Sequence, residues 1–179
     1  MAKPVLTYAI DDEDRIVKVD EGFNRFAKEN GWEEPGFSLG RSLWDFVAGE
    51  DVKKLQRMLL RRLRTEVRSV ELPFRCDGPD VRREMNLRIV AHSSGRAVLF
   101  AAFMQSEEAR ETSHEVFEQR VRRGPDMMIM CSWCDRFLVY GEWVEIEVAA
   151  ERLELFRQPQ LPKITHDMCP RCSETLLAA

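Results

Sequence analysis

The spacing of apolar residues along this chain alternates between strand-like and helix-like periods, and each change of period marks an element. "VLTYAI" and "RIVKVD" are short β-rich runs on either side of the acidic stretch "DDEDR", the pattern of a hairpin with a polar turn. "EGFNRFAKENG" reads as a short helix stopped by Gly31. "WEEPGFSLG" is loop by its proline and glycine content, and "RSLWDFV" a helical turn. The clearest helix begins at Asp51, whose carboxylate suits a first turn. Val52, Leu55, Leu59 and Leu63 recur on one face with Met58 beside them, and Lys54, Arg57, Arg61 and Arg64 occupy the other. Three strands follow. Val70, Leu72, Phe74 and Cys76 alternate on one face of the first, and Met85, Leu87 and Ile89 on one face of the second. "RAVLFAAFM" is apolar throughout, as suits the middle of a sheet. Residues 106–124, "SEEARETSHEVFEQRVRRG", are polar and helix-favouring, which predicts a linker helix.

The strand and helix order in "YAIDDEDRIVKVDEGFNRFAKENG", "GRSLWDFVAGEDV" and the strand set from Val70 to Met104 resembles a PAS domain. The resemblance implies an α+β fold, with a five-stranded antiparallel sheet and helices on one face. It also implies a sensor of small ligands, cofactors, redox state or partners that usually dimerises and seldom catalyses. Its pocket would lie between helices and sheet, near Phe26, Trp44, Phe74, Met85 and Leu87. The plainer reading of these five is a filled core, since such residues dominate interiors. No PAS ligand is named by the sequence. Haem needs an axial ligand, commonly His; the long helix has none, and His92 falls in a predicted turn. The cysteine carried by light-sensing flavin versions is missing from "GRSLWDFVAGEDV". Cys76 ends an alternating strand and reads as a small buried hydrophobe.

The tail carries the distinctive chemistry. "CSWC" and "CPRC" place Cys131, Cys134, Cys169 and Cys172 in two Cys-x-x-Cys knuckles. A two-residue gap lets both sulfurs of a knuckle face one ion, and two knuckles complete a tetrahedral shell. Such sulfur sites suit zinc or iron; a closed four-thiolate site points to structural zinc. Between the knuckles lie a strand "FLVY", a turn "GE", a strand "WVEIE", a helix "AAERLELF" and a proline-bearing loop. "CSWC", "GEWVEIE" and "THDMCPRC" together resemble a small zinc-finger module attached to bacterial sensory and regulatory proteins. That implies a compact treble-clef or ribbon-like unit with structural cysteines. Arg136 and Arg171 are placed to offset the thiolate charge, and His166 to act behind the ligands or as a cap. The expected organisation is a PAS-like sensory domain at 1–105, a linker helix at 106–124 and a four-cysteine zinc module at 125–179.

Composition narrows the function. A chain of 179 residues, 44% hydrophobic and 32% charged, is globular. No apolar run reaches the ~20 residues of a membrane span, and "MAKPVLTYAIDDEDR" shows no secretory signal, so the cytoplasm is the expected compartment. A reducing compartment disfavours disulfides and favours metal binding by paired cysteines. The net charge of -4 weighs against nucleic acid as the partner. No phosphate-binding glycine loop or nucleophile elbow is present. "TSHEVF" matches the phospho-accepting helix of histidine kinases over three residues only. The reading is a non-catalytic signalling protein: the PAS part senses a ligand or partner, with homodimerisation through it, and the zinc module relays by protein contact. The alternatives are a thiol redox sensor and a DNA-binding regulator.

Overall fold

Residues that alternate in the sequence meet across the first sheet in the register the alternation requires. The computed structural model describes residues 4–31, 38–66, 69–118 and 120–179. Its first sheet contains β1 (Leu6–Ile10), β2 (Ile16–Val19), β3 (Ser69–Arg75), β4 (Val81–Ala91) and β5 (Val98–Ala109), in the order β2-β1-β5-β4-β3. Every neighbouring pair is antiparallel. Val70 faces Ile89, Leu72 faces Leu87, and Phe74 faces Met85, so the apolar set lies on one face. Tyr8 stacks on Phe100 across β1 and β5 with ring centroids 4.5 Å apart.

Two helices cover that face. The first, α1 (Glu21–Glu29), is capped by Asp20, whose Oδ1 accepts from the Phe23 N–H at 2.7 Å. The second, α2 (Glu50–Thr65), starts one residue before the position expected from Asp51. It buries Val52, Leu59, Leu60 and Leu63 against Ile10, Leu72, Ile89, Val98 and Phe100. Met58 turns outward and is 51% exposed; Leu60, one position round the helix from Leu59, takes the buried place. The sheet with helices on one face is the α+β arrangement that the PAS resemblance implies. Most of the expected "WEEPGFSLG" loop lies outside the described residues.

The second sheet contains β6 (Arg123–Cys131), β7 (Phe137–Val139), β8 (Glu142–Val144) and β9 (Leu161–Asp167), ordered β8-β7-β6-β9. Its β7–β8 turn has Tyr140 and Gly141 at φ 50° and 87°, the mirror-image turn that matches hairpin twist. Helix α3 (Ile146–Arg152) follows, and α4 (Pro170–Ala178) closes the described chain. A separate small core gathers Val116, Met128, Phe137, Val139, Ile146, Ala149, Ala150 and Leu155.

Three sequence expectations change here. No α-helix spans 106–124 among the described residues: β5 runs on to Ala109, a 3-10 turn covers Glu115–Phe117, and β6 begins at Arg123. The polar end of β5 is held by charges across the sheet. Arg83 sits opposite Glu107 and its Nε donates to Oε2 at 2.7 Å, while Arg82 sits opposite Glu108. The proline-bearing loop contains β9, which pairs parallel to β6 at the sheet edge, where Pro162 is tolerated. Finally, the tail does not keep its core to itself. Cys131, Trp133, Met168, Cys169, Cys172 and Leu176 pack in one continuous cluster with the α2 and first-sheet residues. Helix α4 lies on α2, and Arg62 donates to the Leu177 carbonyl at 3.0 Å.

Candidate metal centre

The end of β6, the turn after it and the start of α4 bring the four tail cysteines to one point. Cys131 ends β6, Cys134 follows in the tight turn before β7, Cys169 precedes α4 and Cys172 lies in its first turn. Pro170 at the first helical position fixes where α4 begins. The first knuckle is closed by its own backbone: the Asp135 N–H donates to the Cys131 carbonyl at 3.1 Å, and the Cys131 N–H to the Arg136 carbonyl at 2.7 Å. Asp135 takes the left-handed conformation this turn needs, at φ 56°. The Ser132 N–H donates to the Asp167 carbonyl at 2.9 Å, tying the first knuckle to the strand that leads into the second.

All four sulfurs lie within 4.8 Å of one another. Cys134 Sγ and Cys169 Sγ are 3.7 Å apart. A disulfide would hold them at about 2.05 Å, whereas a tetrahedron with metal–sulfur bonds of about 2.3 Å has edges of about 3.8 Å. The donor set therefore fits one tetrahedral ion, and closes its shell without a position for water. Cys131, Cys169 and Cys172 are buried, and Cys134 is half-buried. Backbone N–H groups point at the sulfurs, as thiolates require. Cys169 N–H reaches Cys131 Sγ at 3.4 Å, the Trp133 N–H also serves Cys131, and the Arg136 N–H serves Cys134.

Crowding has an acid–base consequence. Hydrogen bonds from Cys134 and Cys172 hold Cys131 far below the usual thiol range. The same proton sharing pushes Cys134 up to about 12 and raises Cys172. A bound cation would displace the protons that Cys134 and Cys172 hold. Four thiolates on a divalent ion carry about -2 net charge. Arg136 faces that charge while its Nε pairs with Glu145 at 2.8 Å; Arg171 lies exposed on α4. His166 is half-buried on β9 opposite Met130. Its carbonyl abuts Gly49 at the head of α2, where a Cβ would sit 2.7 Å from the oxygen and the backbone φ is 85°. Only glycine meets both demands.

The residues between the first two cysteines were not legible as functional from spacing alone. Trp133 turns inward, 8% exposed, and packs on Phe74 of β3 with ring centroids 6.2 Å apart. Its indole N–H donates to the Pro73 carbonyl at 2.7 Å, and its own carbonyl accepts from the Arg75 N–H at 2.9 Å. Next to it, Asp135 Oδ2 accepts from the Asp77 N–H at 2.8 Å. Burial pushes the Asp135 carboxyl up to about 7. The Asp77 side chain, fully buried, pairs with Arg75 and with Arg110 at 2.5 Å for the latter. Arg75 also reaches Glu145 at 2.5 Å, and Arg110 reaches Glu147. Glu145 stays ionised: burial raises its carboxyl, but Arg136 and Arg75 together hold it below the usual range. The first cysteine knuckle is thus clamped to the end of β3 by a tryptophan, a backbone bond from Arg75, the Asp77 N–H bond to Asp135 and a buried ion network.

The five proposed pocket residues fall in three places. Phe74 and Met85 face each other across the sheet, and Leu87 lies on the same face. Phe74 is in contact with the knuckle tryptophan. Trp44 is half-buried, its N–H donates to Asp14 Oδ2 at 2.9 Å, and the Arg57 guanidinium lies 4.5 Å over its ring. Phe26 lies under Arg83, 5.8 Å away. Two clefts, of about 280 and 420 Å³, are lined by other residues. The basic side of α2 is largely engaged within the chain. Lys54 pairs with Asp51 at 2.7 Å, Arg57 covers Trp44, and Arg64 pairs with Asp14 at 2.8 Å.

No family model matches the chain, and no curated protein matches it. Solved structures do. The PAS domain of BvgS from Bordetella pertussis is similar over 57% of this chain and 78% of its own, at 14% identity and TM-score 0.43. The PAS domain of an HTR-like protein from Haloarcula marismortui is similar over 55% of this chain and 79% of its own, at 20% identity and TM-score 0.34. Both of these solved structures are PAS domains. In this chain the five-stranded sheet carries at the end of β3 the contact that receives the cysteine knuckle.

Proposed function

We propose that the chain is a non-catalytic signalling protein in which a PAS-like sensory unit, about residues 1–105, and a zinc-holding module, about 125–179, act as one body. The single observation that carries this reading is Trp133. It sits between two metal-ligating cysteines and spends its side chain on β3 of the sensory sheet. A change in the sheet around Phe74, Met85 and Leu87 would reach the metal module without crossing a flexible joint. The module's outer surface then presents that state to a protein partner. Among the described residues no helix is long and apolar enough to cross a membrane.

The structural metal is zinc in this reading, bound by Cys131, Cys134, Cys169 and Cys172. Elemental analysis with a visible spectrum separates zinc, which is colourless, from an iron–thiolate centre. The signalling role is tested by affinity capture from the native cell with metal-loaded wild type and Cys169→Ser as paired baits. A specific protein held by wild type and lost with the variant supports the relay. Identical capture by both baits contradicts it.

The half-buried position of Cys134 favours one second reading, oxidation of the metal-bound thiolates as a switch. Thiol counting distinguishes it. Four thiols that react with oxidant only after chelation argue against a redox role, and release of metal by mild oxidant argues for it.

A further inference from the structure

The second cleft lies away from the cysteines, where the segment after β5 meets the turn after α3. Its volume, about 420 Å³, falls within the range of small-molecule sites. His114 lines it and is 5% exposed. Its Nε2 is buried and has no hydrogen-bond partner among the described residues. Buried polar atoms are almost always satisfied, so an orphan in a cleft wall points to a group supplied from outside. The remaining wall describes that group. Val116 and Leu155 are buried and apolar, and the Phe156 ring stands 5.8 Å from the imidazole. Phe156 is 68% exposed, on a single 3-10 turn that follows Glu154 at φ 50°. At the rim, Glu115 and Arg122 are exposed and opposite in sign, so neither sign of ligand charge is favoured. Burial lowers the His114 pKa, with Glu147 opposing and Arg110 reinforcing the shift. The imidazole is neutral, with one donor and one acceptor nitrogen.

We propose that this cleft binds a small, uncharged, planar molecule, an aromatic carboxamide or nitrogen heterocycle, through a hydrogen bond to His114 Nε2 and stacking on Phe156. Rotation of the exposed Phe156 side chain opens the way to Nε2, and its ring then covers the ligand face. The site is independent of the signalling reading, since neither the metal nor the PAS-like sheet contributes a wall.

Nicotinamide is the probe, titrated into the metal-loaded full chain over about 1–10 mM, the range suited to a fragment-sized ligand. The readout is the long-range nitrogen–proton correlation of the imidazoles. His92 and His166, the other two histidines, serve as internal controls. A saturable shift of His114 Nε2 with no matching shift at the controls is expected. His114→Phe, which keeps ring shape and removes the nitrogen, is expected to abolish binding, read for both variants by saturation-transfer difference on the nicotinamide protons, with unchanged circular dichroism. Phe156→Ala, at an exposed position, is expected to weaken binding at least fivefold and covers the case in which the first variant fails to fold. No saturable shift at His114, equal binding by either variant, or benzoate binding as tightly as nicotinamide would overturn the proposal.

Discussion

Replacing Trp133 by alanine removes the clamp between knuckle and sheet while leaving all four cysteines in place. The side chain is 8% exposed and packs on Phe74. A buried tryptophan hides about 150–250 Å², which at roughly 25 cal/mol per Å² corresponds to about 4–6 kcal/mol. Measured truncations of large aromatics cost about 3–5 kcal/mol. Losing the indole N–H also strips the Pro73 carbonyl of a partner given at 2.7 Å, worth about 1 kcal/mol. The backbone bond from Arg75 to the Trp133 carbonyl survives the substitution. The expected loss is about 4 kcal/mol, a large share of the roughly 5–15 kcal/mol that holds an ordinary domain folded. Urea unfolding at fixed zinc, followed by far-ultraviolet circular dichroism and by a chromogenic chelator that reports metal release, is the assay. Because knuckle and sheet share one core, both signals should move together to lower urea. Trp133→Phe should lose about half as much, keeping the ring and forfeiting the N–H. A loss under about 1 kcal/mol, or metal release that shifts while the sheet signal stays, would refute the shared core.

Other outcomes follow from the same contacts. Gly49→Ala should lower stability by about 1–3 kcal/mol in thermal melts, because the substituted residue must hold φ 85° with its Cβ 2.7 Å from the His166 carbonyl. Arg110→Met should cost about 2–3 kcal/mol in the same melts, since Asp77 is fully buried and keeps only Arg75 as a charged partner, beside the Arg83 N–H. Burial lowers the His114 pKa below its ordinary 6.5, so the unfolded chain binds the extra proton first. Its contribution is therefore intact above pH 6.5 and lost as pH falls from 6.5 toward the folded value. The urea midpoint of wild type should therefore fall relative to that of His114→Phe as pH is lowered below 6.5, and a constant difference between the two across that range would refute the linkage.

Much of the first sheet could be read from alternation because the apolar residues of β3 and their β4 partners face one side: Val70, Leu72 and Phe74 pair with Ile89, Leu87 and Met85 as the pattern demands. The four cysteines could be read because ligand spacing is local chemistry. Residues 106–124 misled because glutamates and arginines that suit an exposed helix also suit strands whose partners carry the opposite charge, as Arg83 and Glu107 do. Strand β9 was hidden by its edge position and by Pro162. The clamp was hidden for a different reason. The two residues between cysteines constrain the metal geometry very little, and nothing near Trp133 in the chain says that its ring will meet Phe74, some 60 positions earlier.

That the cysteine centre and the PAS-like sheet fold as one unit is tested most directly by hydrogen exchange of the metal-loaded and chelated chain. Loss of metal should raise exchange together in the knuckles, residues 131–136 and 167–173, and in β3, Ser69–Arg75, because Trp133 can no longer hold Pro73 and Arg75. Chelation that frees the knuckles while β3 keeps its protection would contradict the account.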